Sequence, residues 1–379
     1  MLIGKIGEKN IYSDTVSSAS LEPFLGSDLV KTGLLTVLSG YLESDKISVN
    51  GNKIFEVKKL ERFLSYILND KRAAPRKFKL DIKFNSSFNK VQNKPIGNSY
   101  NCFVAVSGGI DSSAGLMYAI DKGFRVKPVF ISFGQKNEER EIRIIEKICL
   151  QMGLNLSIIK VNLSKYVDKG WDRWKLGIIP ARNFLFACII AELAKSSVEK
   201  NIKLFICAHR EEITSINTDK SKRFYSTCSQ IFSNTDKIIT VTTPFERVTK
   251  SEIISYWLKY WIKKYHLLPQ QTVSCYLGTN CGECKACINR LISFICASAG
   301  QEEYIKNPFK NCGGILSEGY IKRFSTLNEQ RKLELLYAID KNRNVLPLDI
   351  ARFLGKNYPK YYKKIKKHIN SIKHIKSFN

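Results

Sequence analysis

Val106-Ser107-Gly108-Gly109-Ile110-Asp111-Ser112-Ser113 follows the apolar run Cys102-Phe103-Val104-Ala105-Val106 and opens a helical pattern from Asp111 to Lys122. A short strand, a glycine turn and a helix start together make an anion cradle. Glycines let backbone N–H groups close on a phosphate. The helix N-terminus and its dipole then favour the negative charge. Ser107, Ser112 and Ser113 add hydroxyl donors around Gly108 and Gly109. Asp111 would repel a phosphate in a bare cradle; it fits if it orients the loop or helps hold Mg²⁺ against phosphate oxygens. No Gly-Lys-Ser/Thr follows, which excludes a Walker loop. The spacing of a dinucleotide fingerprint is also absent.

Downstream of this loop, strands and helices alternate. Strands are expected at Val126–Phe133, Leu154–Val161, Lys203–Ala208 and Lys237–Thr243, and helices at Glu138–Met152, Asn183–Lys195 and Thr249–Tyr265. Such alternation predicts an α/β fold, a doubly wound parallel sheet with helices on both faces. The chain divides into an N-terminal α+β extension (1–95), the phosphate-loop domain (100–270), a metal-binding segment (271–308) and a basic helical C-terminal extension (309–379). In the first part, Ile54-Phe55-Glu56-Val57 reads as a strand end, and Leu60, Phe63, Leu64 and Ile67 recur at helical spacing. Asn85 to Asn98 reads as a polar linker.

Four of the eleven cysteines cluster as C-x₅-C-x₂-C-x₂-C: Cys275, Cys281, Cys284 and Cys287. Four thiolates can close a tetrahedron around Zn²⁺ and leave no open position, so the metal would be structural. Disulfide exchange and an iron–sulfur cluster are the alternatives for such thiols. Cys102, Cys149, Cys188, Cys207, Cys228, Cys296 and Cys312 are scattered in mostly apolar surroundings, as small buried hydrophobes are.

The 379 residues are 44% hydrophobic and 25% charged, enough for a real core. Wholly disordered, collagenous and disulfide mini-protein classes are excluded. The richest apolar stretch, Phe184 to Leu193, is short and broken by Glu192, so no membrane helix is expected. No secretory h-region follows the first lysine, and a cytoplasmic location is expected. The net charge is +27, which suits a polyanion partner such as nucleic acid. Lysines greatly outnumber arginines, and a lysine-rich composition explains much of that excess. From Lys356 to Lys376 there are eight lysines and no acid, interleaved with Tyr358, Tyr361 and Tyr362. This helix either binds phosphates or an acidic partner, or is a solvated surface helix docked through Ile365, Ile369 and Ile372.

The SGGIDSS loop resembles that of the PP-loop ATP pyrophosphatases, which cleave ATP between its α- and β-phosphates. With the SCY…CGECKAC…Arg290 segment about 165 residues later, the chain resembles the QueC family, the 7-cyano-7-deazaguanine synthases. Phe133-Gly134-Gln135, Pro180-Ala181-Arg182-Asn183, Ala208-His209 and Pro244 with Lys250 and Glu252 are similar to further family steps. The resemblance spans roughly residues 100 to 308. It implies ATP, Mg²⁺ and structural Zn²⁺, with Ser107, Gly108, Gly109, Asp111, Ser112 and Ser113 at ATP. It implies catalytic roles for Asp111, Arg182 and Lys250, and substrate contacts from Gln135, Asn183, His209 and Asp219. Family members adenylate the carboxylate of 7-carboxy-7-deazaguanine, and ammonia then gives an amide and, after a second ATP, the nitrile. Dimers are common among such proteins, so a homodimer is an expectation.

Three departures from the family pattern stand out. Ala181 replaces a glycine, and Lys136-Asn137 follows the glutamine in place of Arg-His. The base-reading segment Tyr-Pro-Asp-Cys-Arg is reduced to Asn217-Thr218-Asp219-Lys220-Ser221. Extensions also flank the family core. Extended QueC-like proteins occur in antiphage gene clusters, where some attach the deazaguanine to a protein N-terminus. The resemblance therefore implies a protein acceptor from a neighbouring gene, with free nitrile synthesis as the alternative. A tRNA-modifying PP-loop enzyme and a non-catalytic scaffold are further alternatives.

Overall fold

Alternating buried and exposed residues make Lys46–Asn50 a strand, and this strand organises the N-terminal part of the protein. The computed structural model describes the chain except residues 71–73, 86–98, 135–136, 164–178, 214–217, 276–279, 301, 311–315 and 379. The first elements are β1 (Leu2–Ile6), β2 (Lys9–Tyr12), α1 (Asp28–Leu42), β3 (Lys46–Asn50), α2 (Val57–Leu68) and β4 (Asp81–Asn85). The sheet order is β2-β1-β3-β4, with β1 antiparallel to both its neighbours and β3 parallel to β4. The expected strand end at Ile54–Val57 is not there. Val57 starts α2, whose buried Leu60, Phe63, Leu64 and Ile67 share one helical face. The rest of the expected linker, from residue 86, lies outside the described residues.

The second sheet is β5 (Cys102–Val106), β6 (Val126–Ser132), β7 (Ser157–Lys160), β8 (Asn201–Phe205) and β9 (Ile238–Thr242). Its helices are α3 (Ile110–Asp121), α4 (Glu138–Gln151), α5 (Arg182–Lys195), α6 (Lys222–Phe232) and α7 (Lys250–Tyr256). Every neighbouring pair is parallel, in the order β7-β6-β5-β8-β9. The chain winds from β5 to one edge and then returns to build the other. The loops after β5 and β8 therefore meet at the switch point where α/β sheets bind ligands. β8 ends before the expected Ala208. Thr243 accepts from the Ala208 N–H at 3.1 Å and donates to its carbonyl at 2.7 Å, replacing a strand partner. The single helix expected to Tyr265 is interrupted by a π-helical turn, Trp257–Trp261, where the Trp261 indole donates to Asp121 Oδ2 at 2.6 Å.

The two sheets share one apolar core through α1 and α5. Gly33 permits the close approach: a Cβ there would lie 3.1 Å from Leu185 and 3.2 Å from Cys188 Sγ. Ser27 donates to Glu192 across the same seam at 2.8 Å.

The C-terminal helices are α8 (Lys285–Ala297), α9 (Glu329–Asp340) and α10 (Leu348–Lys373). Ile365, Ile369 and Ile372 of α10 are buried, while its lysines face outward. Beyond α10, Phe378 enters the core between α3 and α7. Its ring centroid lies 4.4 Å from that of Tyr256, 5.2 Å from Phe245 and 5.5 Å from Trp261. Among the described residues, no helix is long and apolar enough to cross a membrane. Phe378→Ala removes this aromatic contact and should cost about 3 kcal/mol, read as a lower urea midpoint.

Candidate active site and metal centre

The phosphate loop sits at the C-terminal end of β5, the middle strand. Gly108 has φ +67°, a conformation glycine takes freely, and a Cβ there would come within 3.1 Å of the Glu141 carbonyl. Ser112 turns back on the loop: its hydroxyl accepts from the Ser107 N–H at 3.2 Å and donates to the Gly109 carbonyl at 3.2 Å. Ser107 is exposed at the mouth, and the Ser113 hydroxyl is buried. Ser112 therefore shapes the loop, and the Ser107 hydroxyl lies 3.3 Å from that of Ser112 at the exposed mouth.

Asp111 is paired with Lys250, Oδ2 to Nζ 2.9 Å, so the structure brings two expected catalytic residues together. Thr249 and Glu252 form a capping box at the start of α7, which fixes Lys250 in the first turn. Glu252 thus acts on the backbone. A cation at a helix N-terminus opposes the dipole, so Lys250 needs acidic partners. Burial works against its charge, but Asp111 and Glu212 outweigh that and raise its pKa.

His209 lies just beyond β8, with its Nδ1 paired to the Glu211 carboxylate and its Nε2 4.0 Å from Glu212 Oε2. Ligand atoms of Asp111, His209 and Glu212 all lie within 4.8 Å of one another. Lys220 binds Glu212 Oε1 at 2.8 Å. Burial disfavours the imidazolium, yet Glu211, Asp111 and Glu212 raise the His209 pKa. Burial pushes the Glu212 carboxyl upward, and Lys220, His209 and Lys250 reverse this and hold it well below the carboxylate range. Glu211 is likewise held down, against its burial, by His209 and by Arg331 of α9. Glu211, Glu212, Lys220 and Arg331 were not singled out in the sequence. The acidic pair directly after the Ala208-His209 step was the available signal.

Asn183 donates to the Asp219 carbonyl at 3.3 Å, so these two expected substrate residues share one corner. Arg182 is exposed, with its guanidinium 5.8 Å from the Phe186 ring. Among the described residues, no ion pair joins it to the phosphate loop. Ala181 has φ +50°, the left-handed conformation that glycine adopts without strain and that costs other residues roughly 1–2 kcal/mol. Gln135 and Asn217 lie outside the described residues.

The four clustered cysteines converge. Cys281 Sγ and Cys287 Sγ are 3.9 Å apart, close to the roughly 3.8 Å edge of a zinc–thiolate tetrahedron with 2.3 Å bonds. Backbone N–H groups of Cys281, Cys284 and Cys287 point at the sulfurs of Cys275, Cys281 and Cys284 at 3.4, 3.3 and 3.4 Å, as suits thiolates. Gly282 has φ +78°, and a Cβ there would lie 1.8 Å from the Lys306 carbonyl. The donor set and spacing fit Zn²⁺. Beside it, Arg290 is 2% exposed and holds Glu302 at 2.6 Å, the Thr272 hydroxyl at 2.8 Å and the Pro269 carbonyl at 3.0 Å. Of the scattered cysteines, Cys102, Cys149, Cys188, Cys228 and Cys296 are buried, as expected, while Cys207 is partly exposed and Cys312 lies outside the described residues.

Purified protein should carry about one zinc per chain by elemental analysis. Cys284→Ser and Gly282→Ala should each lose it. Acid should release the metal, because protons compete for the thiolates.

The family model for the queuosine biosynthesis protein QueC matches residues 101–298, just over half of the chain. A 7-cyano-7-deazaguanine synthase of Thermoplasma acidophilum is 29% identical over 229 residues, covering 54% of this chain and 92% of that protein. The synthase of Nautilia profundicola is 29% identical over 227 residues, 55% of this chain and 97% of the other. That of Methanocaldococcus jannaschii is 24% identical over 228 residues, 53% and 96%. The matched span contains the phosphate loop, the Lys250 helix and all four cysteines, and the chain belongs to the QueC family.

Proposed function

We propose that the chain uses ATP to convert the carboxylate of 7-carboxy-7-deazaguanine, or a close analogue, into an acyl adenylate and then passes the acyl group to an amine. One observation carries this reading: a phosphate loop at the switch point stands beside a partly buried Lys250–Asp111 pair and His209. A carboxylate resists nucleophiles because of its charge. Its oxygen attacks the α-phosphorus, the bond to the β-phosphate oxygen breaks, and pyrophosphate leaves. Loop N–H groups hold the departing anion, and Lys250 offsets the charge that builds on the phosphoryl oxygens. Asp111 Oδ1 is buried and makes no hydrogen bond among the described residues, which leaves it for Mg²⁺. That ion would neutralise phosphate charge. We assign Asp219 and Asn183, which share one corner, to the guanine-like edge.

The nucleophile we assign is a protein amine, in an antiviral-defence setting. The support is the length of chain outside the matched span, together with the packing of both flanking parts on the family core. A second reading, ammonia as nucleophile with nitrile as product, is favoured by the names of the curated relatives.

Mass spectrometry of a reaction with ATP, Mg²⁺, 7-carboxy-7-deazaguanine and ammonium decides between them. AMP with free nitrile supports the second reading. AMP with a mass increase on an added protein supports the first. No AMP under either condition rejects both. Asp111→Asn should lower AMP formation at least a hundredfold, about 2.7 kcal/mol of lost transition-state stabilisation.

A further inference from the structure

We propose that the N-terminal extension positions the base-recognition turn: the end of α2 grips Thr218 and Ser221, on either side of Asp219, and so sets the side chain that meets the guanine-like edge. Tyr66 is the positioning residue, and the Ile67 carbonyl acts beside it. This rests on the assignment of Asp219 to that edge and adds what holds Asp219 in place.

The contact is made of two hydrogen bonds. The Ile67 carbonyl belongs to the last turn of α2, where carbonyls have no partner within their own helix. The buried Thr218 hydroxyl donates to it at 2.8 Å. The Tyr66 hydroxyl donates to the Ser221 hydroxyl oxygen at 3.0 Å, and the Tyr66 ring lies 4.5 Å from the Arg223 guanidinium.

Ser221 has no freedom left. Its hydroxyl donates to the Thr218 carbonyl at 2.9 Å and, as the N-cap of α6, accepts from the Phe224 N–H at 3.2 Å. With the bond from Tyr66, its one proton and both lone pairs are used. Asn183 of α5 donates to the Asp219 carbonyl at 3.3 Å. Phe63 of α2 packs edge-on against Phe184, the next residue of α5, with ring centroids 5.7 Å apart. The turn is therefore fixed from α2, α5 and α6 together.

The residues that reach α2 are ones at which the turn departs from the Tyr-Pro-Asp-Cys-Arg pattern. A proline in place of Thr218 has no hydroxyl to give Ile67, and an arginine in place of Ser221 has no acceptor for Tyr66. The helix that supplies their partners lies outside the span that the family model matches, residues 101–298. The altered turn and the added helix thus form one device. Lys220, also altered, binds Glu212 at 2.8 Å and ties the turn to the charged groups beside the phosphate loop.

The test follows ATP–pyrophosphate exchange by the full chain with Mg²⁺, at varied 7-carboxy-7-deazaguanine and at varied ATP. Tyr66→Phe keeps the ring and removes one bond; Thr218→Val keeps the shape and removes the other. Each should raise KM for the acid about tenfold and leave KM for ATP within about twofold. Thr218→Ser keeps the hydroxyl and should restore most of the loss. Ser27→Ala removes a bond between the extension and α5 away from the turn, and should leave KM for the acid unchanged. A role in stability alone would lower the amount of active enzyme and move neither KM. An unchanged KM for the acid in Tyr66→Phe and Thr218→Val, or an equal rise in both KM values, overturns the proposal. A raised KM for the acid in Asp219→Ala, with none in those two variants, overturns it while leaving the base-edge assignment intact. No rise in Asp219→Ala overturns that assignment and this proposal together, and no exchange in the unaltered chain overturns the adenylation reading with them.

Discussion

Charge balance beneath the phosphate loop is the constraint on which the rest depends. Asp111 and Glu212 converge there with His209, and a partly buried ion costs free energy unless it is paired. The partners are Lys250 for Asp111, Lys220 for Glu212 and His209 for Glu211, drawn from three separate stretches of chain. Removing one of them leaves an uncompensated charge, so the cluster locks α3, α7 and the turn after β8 into a single arrangement. The placement of Lys250 makes the point. It stands where the helix dipole repels it, and only the acids opposite make that position favourable.

The metal centre belongs to the same arrangement. Val273, two residues before Cys275, donates to the Gly108 carbonyl at 2.9 Å and closes over the phosphate loop. Asn137 at the start of α4 donates to the Cys275 carbonyl at 3.2 Å. Arg290 grips Thr272 and Ser274 on either side of Val273 and anchors itself on Glu302. A metal that fixes the cysteine turn therefore fixes the strap holding Gly108. A metal held by the four cysteines would thus act on the phosphate loop from a distance, through the Val273 strap.

The sequence disclosed what is local. The glycine loop, the strand–helix alternation and the cysteine spacing are each dictated by a few adjacent residues, and all stand where expected. Strand ends proved less readable. β8 stops early because the side chain of Thr243, one residue past β9, takes over the hydrogen bonding at Ala208. Ile54–Val57 looked extended because it is apolar and short, whereas the helical period beginning at Val57 governs it. The ionic cluster was only half legible. Asp111 and Lys250 carry family motifs, but Arg331 and Glu334 gain meaning only through tertiary packing.

The two flanking parts differ physically. The N-terminal sheet joins the family core through apolar contacts, a glycine-mediated helix crossing and neutral hydroxyl donors, Ser27 to Glu192 and Tyr66 to Ser221. The C-terminal part joins through apolar side chains and through Arg331, which donates to Asn289 of α8 and pairs within its own helix with Glu334; His368 of α10 pairs with the same carboxylate. Buried ions cost more than apolar residues of similar volume would. A docking role alone would be met by apolar side chains such as Ile365 and Ile369 on the same face of α10. Arg331 also lowers the pKa of Glu211, so the field of the C-terminal helices reaches the acidic turn beyond β8 of the family core.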